Sequence, residues 1–329
     1  MHDGHRDRRG DQPRLARRAI TLTMAACLLV SCSTGETQER AADSDRTAST
    51  APSGSAADQT RPRAAERGPD AAVAALPEVP STDDPAALAR QLDLAVVTLR
   101  DGEAGADDVR RAGQFQQLAV RTLATEPTAF RRQVTSRLPR ETALVTGPLV
   151  SAASQLHALT EPEPKLPSWR ILAPPPAEKL IRHYREAQRR TGVHWTYLAA
   201  IHLVETRMGR IRGTSSAGAR GPMQFIPPTW ETYGAGGDIN DFRDSILAAA
   251  RLLKANGAPG DMAEALYHYN PSDYYVRAVS AYARTMQRST QLYRGYWHWR
   301  VLYRHERGTY VLPVGYPKVR PVLLHGSQE

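Results

Sequence analysis

Apolar residues recur three and four positions apart over much of the chain, and that spacing predicts helices. Leu88, Leu92, Ala95, Val96 and Leu99 share one helical face, behind Asp83 or Asp84 as cap and Pro85 in the first turn. Two further helices are predicted at about 105–125 and 127–159, which makes residues 81–160 a small antiparallel helical unit. The proline-rich stretch 161–176 breaks helices and reads as a linker. Beyond it the pattern predicts helices at about 177–191, 195–209, 228–234, 243–256, 260–269 and 273–288. From Trp299 to Leu312 the periodicity shortens to strict alternation around Arg307 and Gly308, the mark of a β-hairpin in a tail of residues 291–329. The fold class is therefore mainly α, with a helical domain at 177–290, an N-terminal helical unit and a small C-terminal hairpin.

The first 80 residues follow no such pattern. A basic segment, Arg14 to Arg18, precedes an apolar run from Ala19 to Val30 that is too short to span a bilayer and suits an export signal. The run ends in Leu29, Val30, Ser31 and Cys32, which resembles the bacterial lipobox. That resemblance implies cleavage after residue 31 and a lipid on Cys32. An ordinary signal peptide with a chance cysteine is the alternative. Residues 32–80 are Ser, Thr, Ala, Pro, Asp and Arg with almost no large apolar side chain, a composition that cannot offset its ordering entropy and reads as a tether.

Composition adds two constraints. Cys27 lies within the apolar run, so cleavage leaves Cys32 alone and excludes an internal disulfide. Loss of residues 1–31 lowers the formal charge from +9 to +6, and a basic exported chain suits an anionic wall or membrane surface. Nucleic acid is not an expected partner of such a chain.

The stretch from Val204 to Trp230 carries the candidate chemistry. Leu198, Ile201, His202 and Glu205 stand at i, i+3, i+4 and i+7, so Glu205 shares a face with the residues that dock its helix. A carboxyl held against an apolar wall is costly to ionise, and its raised pKa suits a general acid. Small residues from Gly213 to Gly221 then let a backbone lie close to a ligand. His202 and His268 have no metal-ligand spacing. Asp238, Asn240, Asp241 and Asp244 lack the spacing of an EF-hand loop, and Asp241 or Asp244 reads as a helix cap. No metal or cofactor is expected.

Several short motifs resemble one enzyme family. Glu205, Thr206, Arg207, Gly209 and Arg210 resemble the ETRxGR stretch of the membrane-bound lytic transglycosylase B family. Ser215, Ala217, Gly218, Ala219, Gly221, Gln224, Phe225 and Pro227 resemble its SxAGAxGxxQFxP loop. Gly237 to Asp241 resemble its GDxxIN segment, and Tyr269, Asn270, Ser272 and Tyr275 its YNxSxxY stretch. The same general plan belongs to the soluble lytic transglycosylases and goose-type lysozymes. Two departures stand out: only Ile211 to Thr214 separate the ETR helix from the serine loop, where family B has a long insertion, and the loop around Gly237 is shortened.

The resemblance implies a lysozyme-like catalytic domain acting on peptidoglycan glycan strands, with Glu205 as the catalytic acid. Ser215, Met223, Gln224, Tyr269 and Asn270 are the candidate substrate-binding residues, Tyr269 and Asn270 matching family positions that line the site and orient the acid. A hydrolytic glycosidase usually uses two carboxylates. Here Glu205 alone lies in a catalytic-looking motif, so the implied route is substrate-assisted, ending in a 1,6-anhydromuramyl product. Expected partners are the glycan, the membrane through the lipid anchor, and cell-wall synthesis or division proteins that the sequence does not name. The expected location is extracytoplasmic, in the cell envelope. A muramidase on the same fold and a non-catalytic wall-binding lipoprotein remain the alternatives. Tyr293, Tyr296, Trp297, Trp299, Tyr303, Tyr310 and Tyr316 crowd the tail, where they either extend a glycan groove or pack the hairpin on the helices.

Overall fold

The computed structural model describes residues 79–326. The export signal, Cys32 and the tether up to residue 78 lie outside the described residues. Among those residues the chain is mainly α, with a small antiparallel sheet near its end. None of the described helices is long and apolar enough to cross a membrane.

The N-terminal helices are α1 (Pro85–Arg100), α2 (Ala106–Thr125), α3 (Thr128–Thr135) and α4 (Arg140–Ala158). Asp84 caps α1, its Oδ1 accepting from the Ala86 and Ala87 amides at 2.8 and 3.0 Å. The single helix expected over 127–159 is two, α3 and α4. Pro139 has no amide to donate and disfavours helical backbone at Leu138, so the chain breaks there and restarts with Pro139 at the cap of α4.

Helices α5 (Ala177–Thr191), α6 (Trp195–Thr206), α7 (Pro227–Tyr233), α8 (Phe242–Ala255), α9 (Met262–Tyr269), α10 (Asp273–Arg288) and α11 (Leu292–Trp297) follow. Every residue of α6 but Tyr197 is buried, and α5, α8 and α10 pack against it. It ends at Thr206, three residues before the expected end, because Arg207, Met208 and Gly209 take φ of 52°, 59° and 79°. Three successive left-handed residues turn the chain back, and the pair β1 (Arg170–Ile171) and β2 (Ile211–Arg212) receives it. Asp241 caps α8 and Ser272 caps α10.

One continuous apolar core runs from Leu88 in α1 to Trp299, taking in α1, α2, α4, α5, α6, α8 and α10. The N-terminal helices thus share their core with the helices that follow the proline-rich stretch, and α4 lies along α10. Where α2 and α11 cross, a Cβ on Gly113 would stand 2.6 Å from the Gly295 carbonyl, so only glycine allows that approach.

The sheet has three antiparallel strands, β3 (Val301–His305), β4 (Gly308–Leu312) and β5 (Val322–Gly326). The expected hairpin is β3–β4, and β5 adds an edge that the alternation did not announce. A second cluster of Ile171, Val301, Tyr303, Leu312 and Tyr316 lies beneath it. Most of the tail aromatics are packing residues: Tyr293, Tyr296, Trp299, Tyr303 and Tyr316 are buried. They also satisfy the proline-rich stretch, whose carbonyls lack a ladder of their own. Trp297 Nε1 donates to Pro175 O at 2.9 Å, Tyr303 to Lys165 O at 3.0 Å and Tyr316 to Pro167 O at 2.5 Å.

Candidate active site

Glu205 stands at the last turn of α6 and is only 8% exposed. Its Oε1 accepts a hydrogen bond from the Tyr275 hydroxyl at 2.7 Å. Burial raises its pKa from the ordinary 4.5 to about 8, against the downward pull of the Tyr275 bond. No neighbouring charge contributes to that shift among the described residues. Glu205 is therefore a neutral, proton-bearing carboxyl near pH 7, held by one tyrosine.

One turn earlier, His202 is wholly buried, its Nδ1 2.6 Å from the Tyr184 hydroxyl. Burial, with Arg212 adding to it, lowers its pKa to about 3, so it is a neutral core histidine and no source of charge for the acid.

The Gly-rich loop is fastened to this helix end from several directions. Thr206 Oγ1 donates to Pro222 O at 2.6 Å, directly beside the acid. Tyr269, at the end of α9, donates to Met223 O at 2.5 Å and lies parallel to Tyr275 with ring centroids 6.3 Å apart. Gly221 has φ of 75°, and a Cβ there would stand 2.0 Å from Ile239 O, so the loop packs backbone to backbone on the segment before α8. Gln224 is itself left-handed at φ 50°, with Nε2 donating to Gly221 O at 3.0 Å. Ser215 closes the tip, its Oγ accepting from the Ala219 amide at 3.1 Å. Beside the loop opens a cleft of about 530 Å3, lined by Arg170, Arg212, Gly213, Thr214, Gly221 and Asn240.

The expected site residues thus fall into two groups. Gln224, Tyr269 and Met223 gather in one wall joined to the Thr206 end of α6, while Ser215 shapes the loop tip. The Met223 side chain is fully enclosed in the core, so it offers the site only its backbone, and that carbonyl is taken by Tyr269. Asn270 caps α9 and is 7% exposed, with its Oδ1 buried and unpartnered. Three residues of the quoted motifs have roles that the pattern alone did not assign. Tyr275 holds the acid, Thr206 ties helix to loop, and Arg210 bonds the Trp299 and Trp297 carbonyls at 3.1 and 2.7 Å. The motif spacing marked all three, but their partners lie 16 to 89 positions away.

The nearby aspartates are engaged locally. Asp238 Oδ1 accepts from the Asn240 amide at 2.9 Å, Asp241 Oδ1 from those of Arg243 and Asp244 at 2.8 and 3.0 Å, and Asp244 Oδ2 from that of Asp238 at 3.1 Å. Among the described residues no group of three or more His, Cys, Asp or Glu side chains is placed to hold a metal ion.

Comparison with known proteins gives one partial likeness. Over 74 residues the chain is 39% identical to a membrane-bound lytic murein transglycosylase F of Thiobacillus denitrificans, a match covering 22% of this chain and 15% of that protein. No family model matches, and no solved structure matches. The likeness supports a relationship to lytic transglycosylases at that coarse level.

Proposed function

We propose that the chain is a peptidoglycan lytic transglycosylase that cleaves the β-1,4 bond between N-acetylmuramic acid and N-acetylglucosamine. The observation that carries this reading is the buried carboxyl of Glu205, held by the Tyr275 hydroxyl and raised by burial to a pKa of about 8, with no carboxylate among the described residues contributing to that shift. Such a group is fitted to protonate a glycosidic oxygen near neutral pH. A glycosidase that hydrolyses through a carboxylate pair holds the two within several ångströms of one another. At that range the second carboxylate would perturb the first.

In this mechanism Glu205 gives its proton to the bridging oxygen, and the C1–O bond breaks. The substrate's own acetamido group stabilises the positive charge developing at C1. Glu205, now a carboxylate, removes the proton from the muramyl C6 hydroxyl, whose oxygen bonds to C1. The product end is a 1,6-anhydromuramyl residue, and Glu205 is again protonated. Tyr275 holds the carboxyl through both transfers, since a phenol donates well to the carboxylate formed midway. The Gly-rich loop offers the glycan a close backbone surface, with Ser215, Gln224 and Asn270 as its candidate binding groups, and the cleft beside the loop, lined by Gly213, Thr214 and Gly221 but not by Glu205, would take the strand further from the acid.

The likeness to the transglycosylase of Thiobacillus denitrificans supports the substrate class. We further infer from the Cys32 box that the catalytic part works in the cell envelope on a lipid-anchored tether. The direct test of the acid is Glu205→Gln, which keeps the size and cannot donate the proton: turnover of purified sacculi should fall by at least about 10³-fold. Activity within a factor of about 30 of the parent's would remove Glu205 from the chemistry.

A further inference from the structure

Three arginines meet around a cavity of about 100 Å3 whose lining does not include Glu205. Arg121 comes from α2, Arg207 from the turn after α6, and Arg304 from β3. The ion pairs among the described residues include none of them. Neutral oxygens meet only part of their donor capacity. Arg121 Nη2 donates to Thr309 Oγ1 at 2.6 Å, Arg207 Nη1 to Leu203 O at 2.9 Å, and Arg304 Nη1 to His157 O at 3.2 Å and to Thr160 O. Arg207 Nε is buried with no partner at all.

Burial, with Arg304 and Arg207 adding to it, pulls the pKa of Arg121 down to about 10. His157, also at the wall, is held below its ordinary value by burial and by Arg304 and Arg121, and adds no negative charge. The carboxylates at the rim are Glu161, which is exposed, and Glu163, whose backbone pairs with the hairpin. Neither reaches ion-pair distance of the three. Apolar walls come from Val120, Leu156 and Trp299, and an outer chamber of about 470 Å3 shares Arg121, His157 and Arg304 and is lined as well by Glu126 and Glu306, neither at ion-pair distance of the three arginines.

We propose that this cavity is an anion-binding site for a small ligand bearing a carboxylate or a phosphate, its oxyanion taken by Arg121, Arg207 and Arg304 and its apolar part seated against Val120 and Trp299. The planar forks of arginine match both oxyanions, and a ligand charge would offset the positive charge that Arg304 and Arg207 place beside Arg121. The site does not depend on the proposed reaction. It does touch the same helix: Tyr282, which lines the cavity, stands seven residues after Tyr275 on α10, about 10 Å along the axis from the partner of the acid.

The test is calorimetric titration of the purified chain with inorganic phosphate, with N-acetylalanine, and with N-acetylalanine amide as the neutral comparator. Saturable binding of at least one anion with Kd at or below about 1 mM, and none of the amide, is expected. Arg121→Gln should weaken it at least tenfold (about 1.4 kcal/mol) with an unchanged circular dichroism spectrum. Binding of phosphate alone or of the carboxylate alone identifies the source of the oxyanion. Should Arg121→Gln not fold, Arg121→Lys, which keeps the charge and loses the fork, is held to the same tenfold criterion. The proposal is overturned if the parent binds neither anion, if the amide binds equally, or if a folded Arg121 variant binds as the parent does.

Discussion

The Tyr275 hydroxyl donates to Glu205 Oε1 at 2.7 Å across 70 positions of sequence, joining the end of α6 to the first turn of α10. This bond stabilises the carboxylate, while burial opposes it more strongly, so the acid rests at about 8.

Replacing Tyr275 by Phe removes the stabilising donor and keeps the ring beside Tyr269. The descending limb of the activity–pH profile, set by loss of the acid's proton, should then move to higher pH. Maximal turnover should fall about 10- to 100-fold, the worth of one hydrogen bond to a charged group. A profile recorded between about pH 5 and pH 10 checks both, and an unmoved limb would show that Tyr275 does not hold the acid.

The same burial makes stability depend on pH. The folded chain keeps a proton on Glu205 that the unfolded chain releases above about 4.5, so raising the pH from about 4.5 to about 8 lowers stability, and above 8 the loss is complete. Glu205→Gln has no such titration. It should be more stable than the parent at about pH 9, by a few kcal/mol at most, with the gap closing towards about pH 4. Denaturant melts of both chains at the two pH values measure it. A gap independent of pH would place the Glu205 pKa at its ordinary value.

The proposed lipid anchor is tested at Cys32. Cys32→Ser should leave the protein soluble or unprocessed, and membrane fractionation of cells expressing parent and variant reads the difference. A variant that stays with the membranes as the parent does would exclude a lipid on Cys32.

Much of this architecture was legible because it is local. The bounds of α5 and α10 follow from apolar spacing and caps, and the i, i+3, i+4, i+7 face of α6 already placed Glu205 against the core. What was not legible depends on distant partners or on single backbone choices. Three left-handed residues shorten α6, Pro139 splits one expected helix into α3 and α4, and β5 pairs with β4 without an alternating pattern of its own. In the site, Tyr275 was visible as a motif position, but that it meets Glu205 follows only once α10 packs on α6. The tail aromatics, equally suited by composition to sugar stacking, are mostly buried because the proline-rich stretch needs their donors and the hairpin needs their volume. Met223, offered as a substrate-binding residue although a methionine there is more often core than contact, has its side chain in the core.

In the proposed reaction one carboxyl performs both proton transfers and the substrate supplies its own nucleophile. Mass spectrometry of the muropeptides released from purified sacculi tests it most directly. Products should end in 1,6-anhydromuramic acid, lighter than the hydrolytic ones by the elements of water, and glycan whose muramyl C6 hydroxyl is O-acetylated should resist cleavage. Reducing muramic acid ends, formed equally from normal and O-acetylated sacculi, would contradict it and require a water-activating base among Asp238, Asp241 and Asp244.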